Sequence, residues 1–229
     1  MKAIFLLIVC CVVSFQISAQ KIVEVTEPIS SDQELKLEFD FASDITVTSW
    51  NKNEVYVKAT VDINNGEDND KFEFKTKKGS GFISIESKIN DLDKMYQNCT
   101  TIIIEDGDTT IINGDHNRFD IDFEVFMPSS LKLQLSTING DVELIGISGP
   151  MEISTINGEV DLHLDPNQKA DLEMSSINGT FYTNFDLDIK NRKDNLCKIG
   201  GDVHTQLNGG GRTIALETIN GAIYLRKAK

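Results

Sequence analysis

The segment LSTINGDVEL, residues 135–144, contains the phrase around which the chain is organised. Variants return as ISTINGEVDL at 153–162, MSSINGTFYT at 174–183, LCKIGGDVHT at 196–205 and LETINGAIYL at 216–225. The Asn-Gly pair, replaced by Gly-Gly in the fourth unit, therefore recurs every 18–22 residues. A fixed pattern at such a period is typical of a repeat architecture.

All five units share one hydrophobic pattern, counted here from the Asn of the Asn-Gly pair. The residues four before it, one before it and three after it are apolar in every unit, as in Leu135, Ile138 and Val142. The positions two and four after it are mostly polar. This alternation has the period of a strand, and the frequent Val, Ile and Thr residues favour strands as well.

Two all-β folds can use this pattern. Asn-Gly hairpin turns would build an antiparallel meander or sandwich, but the isoleucine column before each pair would then face away from the strand's other apolar residues. In a β-solenoid the pair is a corner where the pleat resets, so Ile138 and Val142 both point inward and units stack about 4.8 Å apart. We predict the β-solenoid, with rungs of about 20 residues, and keep the antiparallel fold as the alternative.

The predicted corners place similar residues above one another. Asn and Gly tolerate a positive φ better than other residues, and stacked Asn side chains can hydrogen-bond along the column. Gly200 lacks that amide, which makes its rung the weakest. The predicted corner ladder consists of Asn139, Asn157, Asn178, Gly200 and Asn220.

The chain begins with the features of an export signal. Met1-Lys2 precedes an uncharged stretch from Ala3 to Gln20 that is apolar through Phe15 and contains the small Ala19. We predict a signal peptide over residues 1–19, cleaved before Gln20; an uncleaved N-terminal anchor is the alternative. No later segment is long and apolar enough to span a bilayer.

Net charge restricts the classes of possible partner, and cysteine content bears on the redox compartment of the protein. Removal of residues 1–19 leaves 21 basic and 36 acidic residues, a net charge of −15, which disfavours nucleic acids and anionic membranes as partners. It also leaves Cys99 and Cys197, which could form one disulfide in an oxidising compartment or remain two thiols.

The chain divides into an irregular and a regular part. After the predicted signal (1–19) and a polar leader (20–34), residues 35–128 contain short alternating segments with longer loops at 64–70 and 90–99. Residues 129–229 contain the regular repeats. Both parts are predicted to belong to the same solenoid, because the terminal rungs of such a stack are atypical.

The phrases TINGDVEL and STINGEVDL resemble the bacterial β-strand-repeat family of unknown function called "putative adhesins". DITVTSWNKNEVYVKA (44–59) and DFEVFMP (122–128) are similar to it too, and the auto-transporter adhesin head domains are a related group. The resemblance covers most of residues 35–225. It implies an exported, right-handed β-solenoid of the cell envelope and supplies no catalytic residues.

No motif of catalysis or metal binding stands out. His116, His163 and His204 do not share a column, and the acidic loops at 105–108 and 115–117 match no calcium motif. Carboxylates do form columns, with Asp141, Glu159 and Asp202 in one and Glu143 and Asp161 in another. Acids repeated on every rung are typical of a solvated face rather than a catalytic pair, so we expect no enzyme, metal or cofactor.

The column four residues after each Asn suggests a ligand-binding face. It contains Tyr182, His204 and Tyr224 in three of the five units. In the solenoid the two tyrosines lie two rungs apart, about 10 Å, with His204 between them, a spacing that suits sugar rings of an extended polymer.

The predicted function is therefore an exported, non-enzymatic binding or structural module in the periplasm, on the cell surface or outside the cell. Its partner is an envelope polysaccharide or another surface protein. A regulatory or sensing component of the envelope and a polysaccharide-acting enzyme are the alternatives.

Overall fold

The structure, a computed structural model, describes residues 20–96, 101–105, 108–112, 117–187 and 200–228. For 101–105 and 108–112 only the backbone is described. The predicted signal peptide and the cysteines Cys99 and Cys197 lie outside the described residues.

The strands follow in chain order. They are β1 (Lys21–Pro28), β2 (Glu34–Glu38), β3 (Phe41–Trp50), β4 (Glu54–Ile63), β5 (Phe72–Lys78), β6 (Phe82–Ile89), β7 (Thr101–Glu105), β8 (Asp108–Ile112), β9 (Phe119–Pro128), β10 (Lys132–Ile145), β11 (Met151–Asn157), β12 (Val160–Leu164), β13 (Ala170–Ser176), β14 (Phe181–Thr183), β15 (Gly201–Leu207), β16 (Arg212–Asn220) and β17 (Ile223–Lys227). A 3₁₀ turn (Asn69–Lys71) and the short helix α1 (Leu92–Tyr96) interrupt them. Among the described strands, β7 and β8 form a hairpin and the other fifteen form one open, mixed sheet.

Strand β10 divides the large sheet into two layers. Its first half pairs with β2 and β11, in what we call the first layer, which also contains β5, β6, β13, β15 and β16. Its second half pairs with β3 and β12, in the second layer, which also contains β1, β4, β9, β14 and β17. The chain passes from one layer to the other at Asn139-Gly140.

The two layers enclose one hydrophobic core. Leu135 in the first half of β10 and Leu144 in the second are both buried. The rings of Phe74 in the first layer and Phe123 in the second lie 6.2 Å apart, and Phe39, at the bend between β2 and β3, stacks on Phe123 at 4.1 Å. Alternation along each strand therefore places the apolar residues between two facing layers, a sandwich-like arrangement.

The prediction of a right-handed β-solenoid is wrong. A solenoid stacks successive coils in chain order and in parallel, whereas β1–β4, β4–β9, β5–β6 and β13–β15 are antiparallel pairs. The parallel pairs also break chain order, because the last unit, β16–β17, lies between β11–β12 and β13–β14. The sequence repeats therefore do not form a repeat array, and the fold is a mixed, sandwich-like sheet.

The orientation of the isoleucine column is also the reverse of the prediction. Ile138 and Ile156 are each 39% exposed and Ile177 is 62% exposed, whereas Thr155 and Thr218 are each 1% exposed. The pleat does reset at the corner, but with two consecutive residues, the Ile and the Asn, on the outer side. A bend with its convex side toward solvent has room outside, whereas the inner side accommodates only the smaller threonine.

The inward side chains of Thr137, Ser176 and Thr218 satisfy carbonyl groups at the bend. Thr218 Oγ1 donates to the carbonyl oxygen of Gly158 at 3.0 Å, and Ser176 Oγ donates to that of Gly221 at 3.3 Å. A strand that turns a corner leaves backbone groups out of register with the ladder, and buried carbonyls need donors. Thr137 Oγ1 likewise donates to the carbonyl of Phe39, whereas the buried Oγ1 of Thr155 has no hydrogen-bond partner among the described residues, so this requirement explains three of the four corner hydroxyls.

The asparagines form a continuous ladder along the corner. Asn178 Nδ2 donates to Asn220 Oδ1 at 2.9 Å, Asn220 to Asn157 at 2.8 Å, and Asn157 to Asn139 at 3.0 Å. Gly200 does not continue it: its N–H donates to the carbonyl of Gly179, and it leads into β15, which is antiparallel to β13. The described part of the fourth unit, residues 200–205, thus leads into an edge strand and does not continue the ladder.

The glycines of the corner are needed for close approach rather than for a positive φ. A Cβ on Gly221 would lie 2.0 Å from the carbonyl oxygen of Gly158, and a Cβ on Gly158 would lie 2.1 Å from that of Gly140. Among the glycines that follow the four ladder asparagines, only Gly140 has a φ in the left-handed region, +127°. The expectation that Asn-Gly serves to provide positive φ therefore holds for one corner only.

Candidate functional site

The outer face of the second layer brings together the side chains that point away from the core. Because neighbouring strands are in register, residues at equivalent positions form a row across eight strands. From β1 to β14 this row contains Glu24, Lys58, Glu124, Thr46, Glu143, Asp161, Tyr224 and Tyr182. We call it the central row.

The middle of this face is acidic. An open depression of about 460 Å³ is lined by seven carboxylate residues: Asp44, Asp122, Glu124, Asp141, Glu143, Glu159 and Asp161. Desolvation of its carboxyl group, with repulsion from Asp44 and Asp120, raises the pKa of Asp122. This part of the face attracts hydrogen-bond donors and cations and repels anions.

Tyr182 and Tyr224 form an aromatic pair at one end of the central row. They are direct neighbours on β14 and β17, and their rings are stacked with centroids 5.0 Å apart and planes 13° apart. Tyr182 is 50% exposed. The guanidinium carbon of Arg226 lies 4.7 Å from the Tyr224 ring centre, and Arg226 Nε contacts Asp161 Oδ1 at 3.0 Å.

The spacing of this pair differs from the prediction. The two tyrosines were expected two rungs apart, about 10 Å, but the order of the strands makes them adjacent. A separation of 5.0 Å leaves no room for a sugar ring between the two rings. A ligand must therefore contact the outer side of Tyr182 or the upper edges of both rings.

His204 does not join the tyrosines. It lies on β15 in the first layer, opposite Glu173 of β13, because β15 runs antiparallel at the edge of that layer. The same displacement separates Asp202 from Asp141 and Glu159, and Asp202 accepts a hydrogen bond from Ser175 Oγ at 2.6 Å. Asp141 and Glu159 do meet, since the Glu159 N–H donates to Asp141 Oδ1 at 2.8 Å.

His163 takes the place near the tyrosines that was expected for His204. Its Nε2 lies 3.3 Å from Asp161 Oδ1 and 3.5 Å from Glu143 Oε1. In register it is the neighbour of Ile145 on one side and Arg226 on the other. This arrangement connects the aromatic pair with the acidic part of the face.

A second aromatic group on the same face was missed at the level of the sequence. The rings of Trp50 and Phe126 lie 5.5 Å apart, and Tyr56 lies 6.1 Å from Phe126 and 6.4 Å from Trp50. The ammonium group of Lys52 lies 4.3 Å from the Trp50 ring centre. Strand alternation could have predicted that each of these residues points outward, since Trp50 lies two and four residues after Thr48 and Thr46. It could not have predicted that the three rings lie close together.

No group of His, Cys, Asp or Glu residues within the described ranges has the geometry to hold a metal ion. The loops considered for calcium, 105–108 and 115–117, fall largely outside those ranges. Among the residues that the structure describes, no helix is long and apolar enough to cross a membrane.

Comparisons with known proteins bear on the fold. No family model matches the sequence, and the comparison with curated proteins finds no match. A "putative cell adhesion protein" from Clostridium sporogenes has a similar structure, with a TM-score of 0.54, 13% identity, and coverage of 91% of this chain and 100% of that one.

Two further solved structures are more distant. They are a "putative adhesin" from Parabacteroides distasonis (TM-score 0.31, 12% identity, 71% of this chain and 64% of that one) and another from Bacteroides fragilis (TM-score 0.24, 11% identity, 92% and 99%). At 13% identity the likeness to the Clostridium sporogenes structure concerns the fold, and the descriptions of these structures agree with the resemblance to the "putative adhesin" family.

Proposed function

We propose that this protein is an exported and non-enzymatic binding module of the cell envelope. The similarity of its fold to that of the "putative cell adhesion protein" from Clostridium sporogenes supports a binding role. Its ligand is an envelope polysaccharide, bound on the outer face of the second layer. The observation that carries the proposal is the stacked pair of the exposed Tyr182 and the half-buried Tyr224 at the end of a row that contains carboxylates.

The side chains at the tyrosine end of the central row can bind a sugar. Aromatic rings offer an apolar surface to the C–H face of a pyranose, and tyrosine hydroxyls can donate and accept hydrogen bonds. Arg226 supplies further donors beside Tyr224, and Asp161 supplies acceptors. A sugar carries both donors and acceptors on every ring, so it can use all of these groups.

The test is retention on a panel of immobilised bacterial envelope polysaccharides. We expect the protein to be retained by at least one of them and the double variant Tyr182→Ala/Tyr224→Ala to lose at least tenfold in affinity. Tyr96→Ala is the matched control, because Tyr96 is 48% exposed and lies on α1, where its ring is 6.5 Å from that of Phe119 and is not part of the central row. A double variant that binds like the wild type contradicts the proposed site.

A polysaccharide-acting enzyme is the second candidate, and one observation favours it. Burial, with repulsion from nearby carboxylates, raises the pKa of Asp122, as a glycosidase needs for its general acid, and Asp122 lies among other carboxylates of the depression. The open shape of the depression, which cannot exclude water, favours binding instead. Incubation with the retained polysaccharide should release no reducing ends; release that Asp122→Asn abolishes contradicts the non-enzymatic proposal.

A further inference from the structure

We infer that the Trp50–Tyr56–Phe126 group is a second subsite of the same binding face, and that the ligand is an extended, uncharged polysaccharide that crosses the strands from one aromatic group to the other. This inference rests on the proposed function and specifies its ligand. Both aromatic groups belong to outward positions of the second layer, on strands β3, β4, β9, β14 and β17.

The separation of the two groups sets the length of the ligand. Tyr224 on β17 and Phe126 on β9 are four strand steps apart, through β12, β10 and β3. At about 4.8 Å per step this is about 19 Å, too far for a mono- or disaccharide to contact both groups. A ligand that uses both must therefore be an oligomer.

The surface between the two groups is continuous and mixed in character. Ile145, 37% exposed, lies midway, with His163 on the side of the tyrosines and Thr48 on the side of Phe126. Glu143 and Asp161 run alongside in the central row. A sugar chain can therefore keep apolar contact at Ile145 while its hydroxyl groups donate to the two carboxylates.

Each aromatic group also carries one cation at its ring. Arg226 lies over Tyr224, and Lys52 lies over Trp50. Donors at both ends and acceptors in the middle match a polyol, which offers both kinds of group along its length. The carboxylates of the depression repel a uronic-acid or sulfated polymer, so the expected ligand is uncharged.

The test uses size-graded oligosaccharides prepared from the polysaccharide that the protein retains, with affinity measured by calorimetry. For the wild type we expect affinity to rise at least tenfold from the disaccharide to an oligomer that spans both groups, and then to level off, because linked subsites add their contributions. Trp50→Ala should lower the affinity of the long oligomer at least tenfold and leave that of the disaccharide unchanged.

Two further variants separate loss of binding from loss of folding in this test. Ile145→Asn, at an exposed mid-path position, should have the same length-dependent effect without disturbing the Trp50 packing. Phe82→Ala is the matched control, because the Phe82 ring lies on the first layer with the Lys36 ammonium group 5.5 Å from its centre. This variant should change the affinity of neither the disaccharide nor the long oligomer.

The failures of the two proposals differ. If long and short oligomers bind the wild type with equal affinity, and the tyrosine double variant binds neither, the second subsite is overturned and the proposed function stands. A wild-type protein that binds no saccharide overturns both. Tighter binding of a polyanionic polymer than of an uncharged one overturns the assignment of ligand class.

Discussion

The side-chain amide of Asn220 donates a hydrogen bond to the side-chain oxygen of Asn157 at 2.8 Å, although 63 residues separate them in the chain. Asn178, which follows Asn157 more closely in sequence, bonds to Asn220 instead. The last unit of the chain has therefore been inserted between two earlier ones, and this insertion distinguishes the fold from a coil that winds in chain order.

The position of the last unit predicts the effect of truncation. Deletion of residues 212–229 removes β16 and β17, which lie inside their layers, and so exposes new strand edges on β11, β12, β13 and β14. We expect the shortened protein to lose its cooperative thermal transition, as measured by circular dichroism. In a coil stacked in chain order, loss of the last rung would leave the rest folded, so a near-normal melt would contradict the inserted topology.

The Asn ladder predicts that the loss of stability depends on how many ladder hydrogen bonds a substitution removes. Asn157→Ala removes two side-chain hydrogen bonds and Asn139→Ala removes one. At about 1 kcal/mol per bond at most on an exposed edge, the free energy of unfolding should fall by about 1–2 kcal/mol for Asn157 and by about half of that for Asn139. Urea denaturation measures both, and equal losses would indicate that the ladder does not act as a chain of bonds.

The close approach of the corner glycines predicts that even one added methyl group destabilises the protein. In Gly221→Ala the new Cβ would meet the backbone of Gly158, which cannot move without shifting the strand. Overpacking of this kind costs about 1–3 kcal/mol. Gly81→Ala is the control, since nothing lies within 4 Å of its Cβ position, and it should leave the urea midpoint within error of the wild type.

The orientation of the isoleucine column predicts opposite effects for two neighbouring residues. Ile156→Asp should change the free energy of unfolding by less than about 1 kcal/mol, because surface substitutions cost little and Ile156 is 39% exposed. Ile153→Asp should unfold the protein, because Ile153 is 1% exposed and a buried, unpaired carboxylate costs several kcal/mol. A thermal melt in which Ile156→Asp is as damaging as Ile153→Asp would mean that the corner faces the other way.

A pH effect is expected at the edge between β1 and β4. The hydrogen bond from Tyr56 Oη to Glu24 Oε1, 2.6 Å long, raises the pKa of Tyr56 to about 12. A raised phenol pKa means that the neutral form is favoured in the folded state, so this stabilisation is complete below about pH 10 and is lost as pH rises through 12. Ultraviolet titration should show that Glu24→Gln lowers the pKa of one late-titrating tyrosine, whereas the pKa of Tyr224, which burial also raises, should not move.

Much of the local structure followed from the sequence. Period-two alternation identifies the strands around each Asn-Gly pair, and residues such as Leu135, Val142, Leu144 and Val160 are buried as their positions predict. The same alternation puts Tyr182 and Tyr224 on the outer face. These features depend on neighbours within a few residues, for which the strand period is sufficient.

The order of the strands could be decided only by the tertiary structure. The corners at Asn157, Asn178 and Asn220 carry nearly the same residues, so each is chemically able to pair with any other, and the sequence does not distinguish their neighbours. Chain order is the natural assumption for a repeat, but the antiparallel β15 occupies the outer edge at β13, and β16 pairs with both β11 and β13. The adjacency of Tyr182 and Tyr224 and the separation of His204 both result from this.

The direction of the bend was likewise a tertiary property. From sequence, an apolar isoleucine and a polar threonine predict that the isoleucine is buried, since burial of apolar area is favourable. At the corner, however, the convex side has the room, and the carbonyl groups of the turning strands need the hydroxyl donors of Thr218 and Ser176 inside. The sequence by itself thus determined the strands, their alternation and four of the five predicted corners, Gly200 being the exception, while the packing of the two layers decided which strands meet and which side of each corner faces the core.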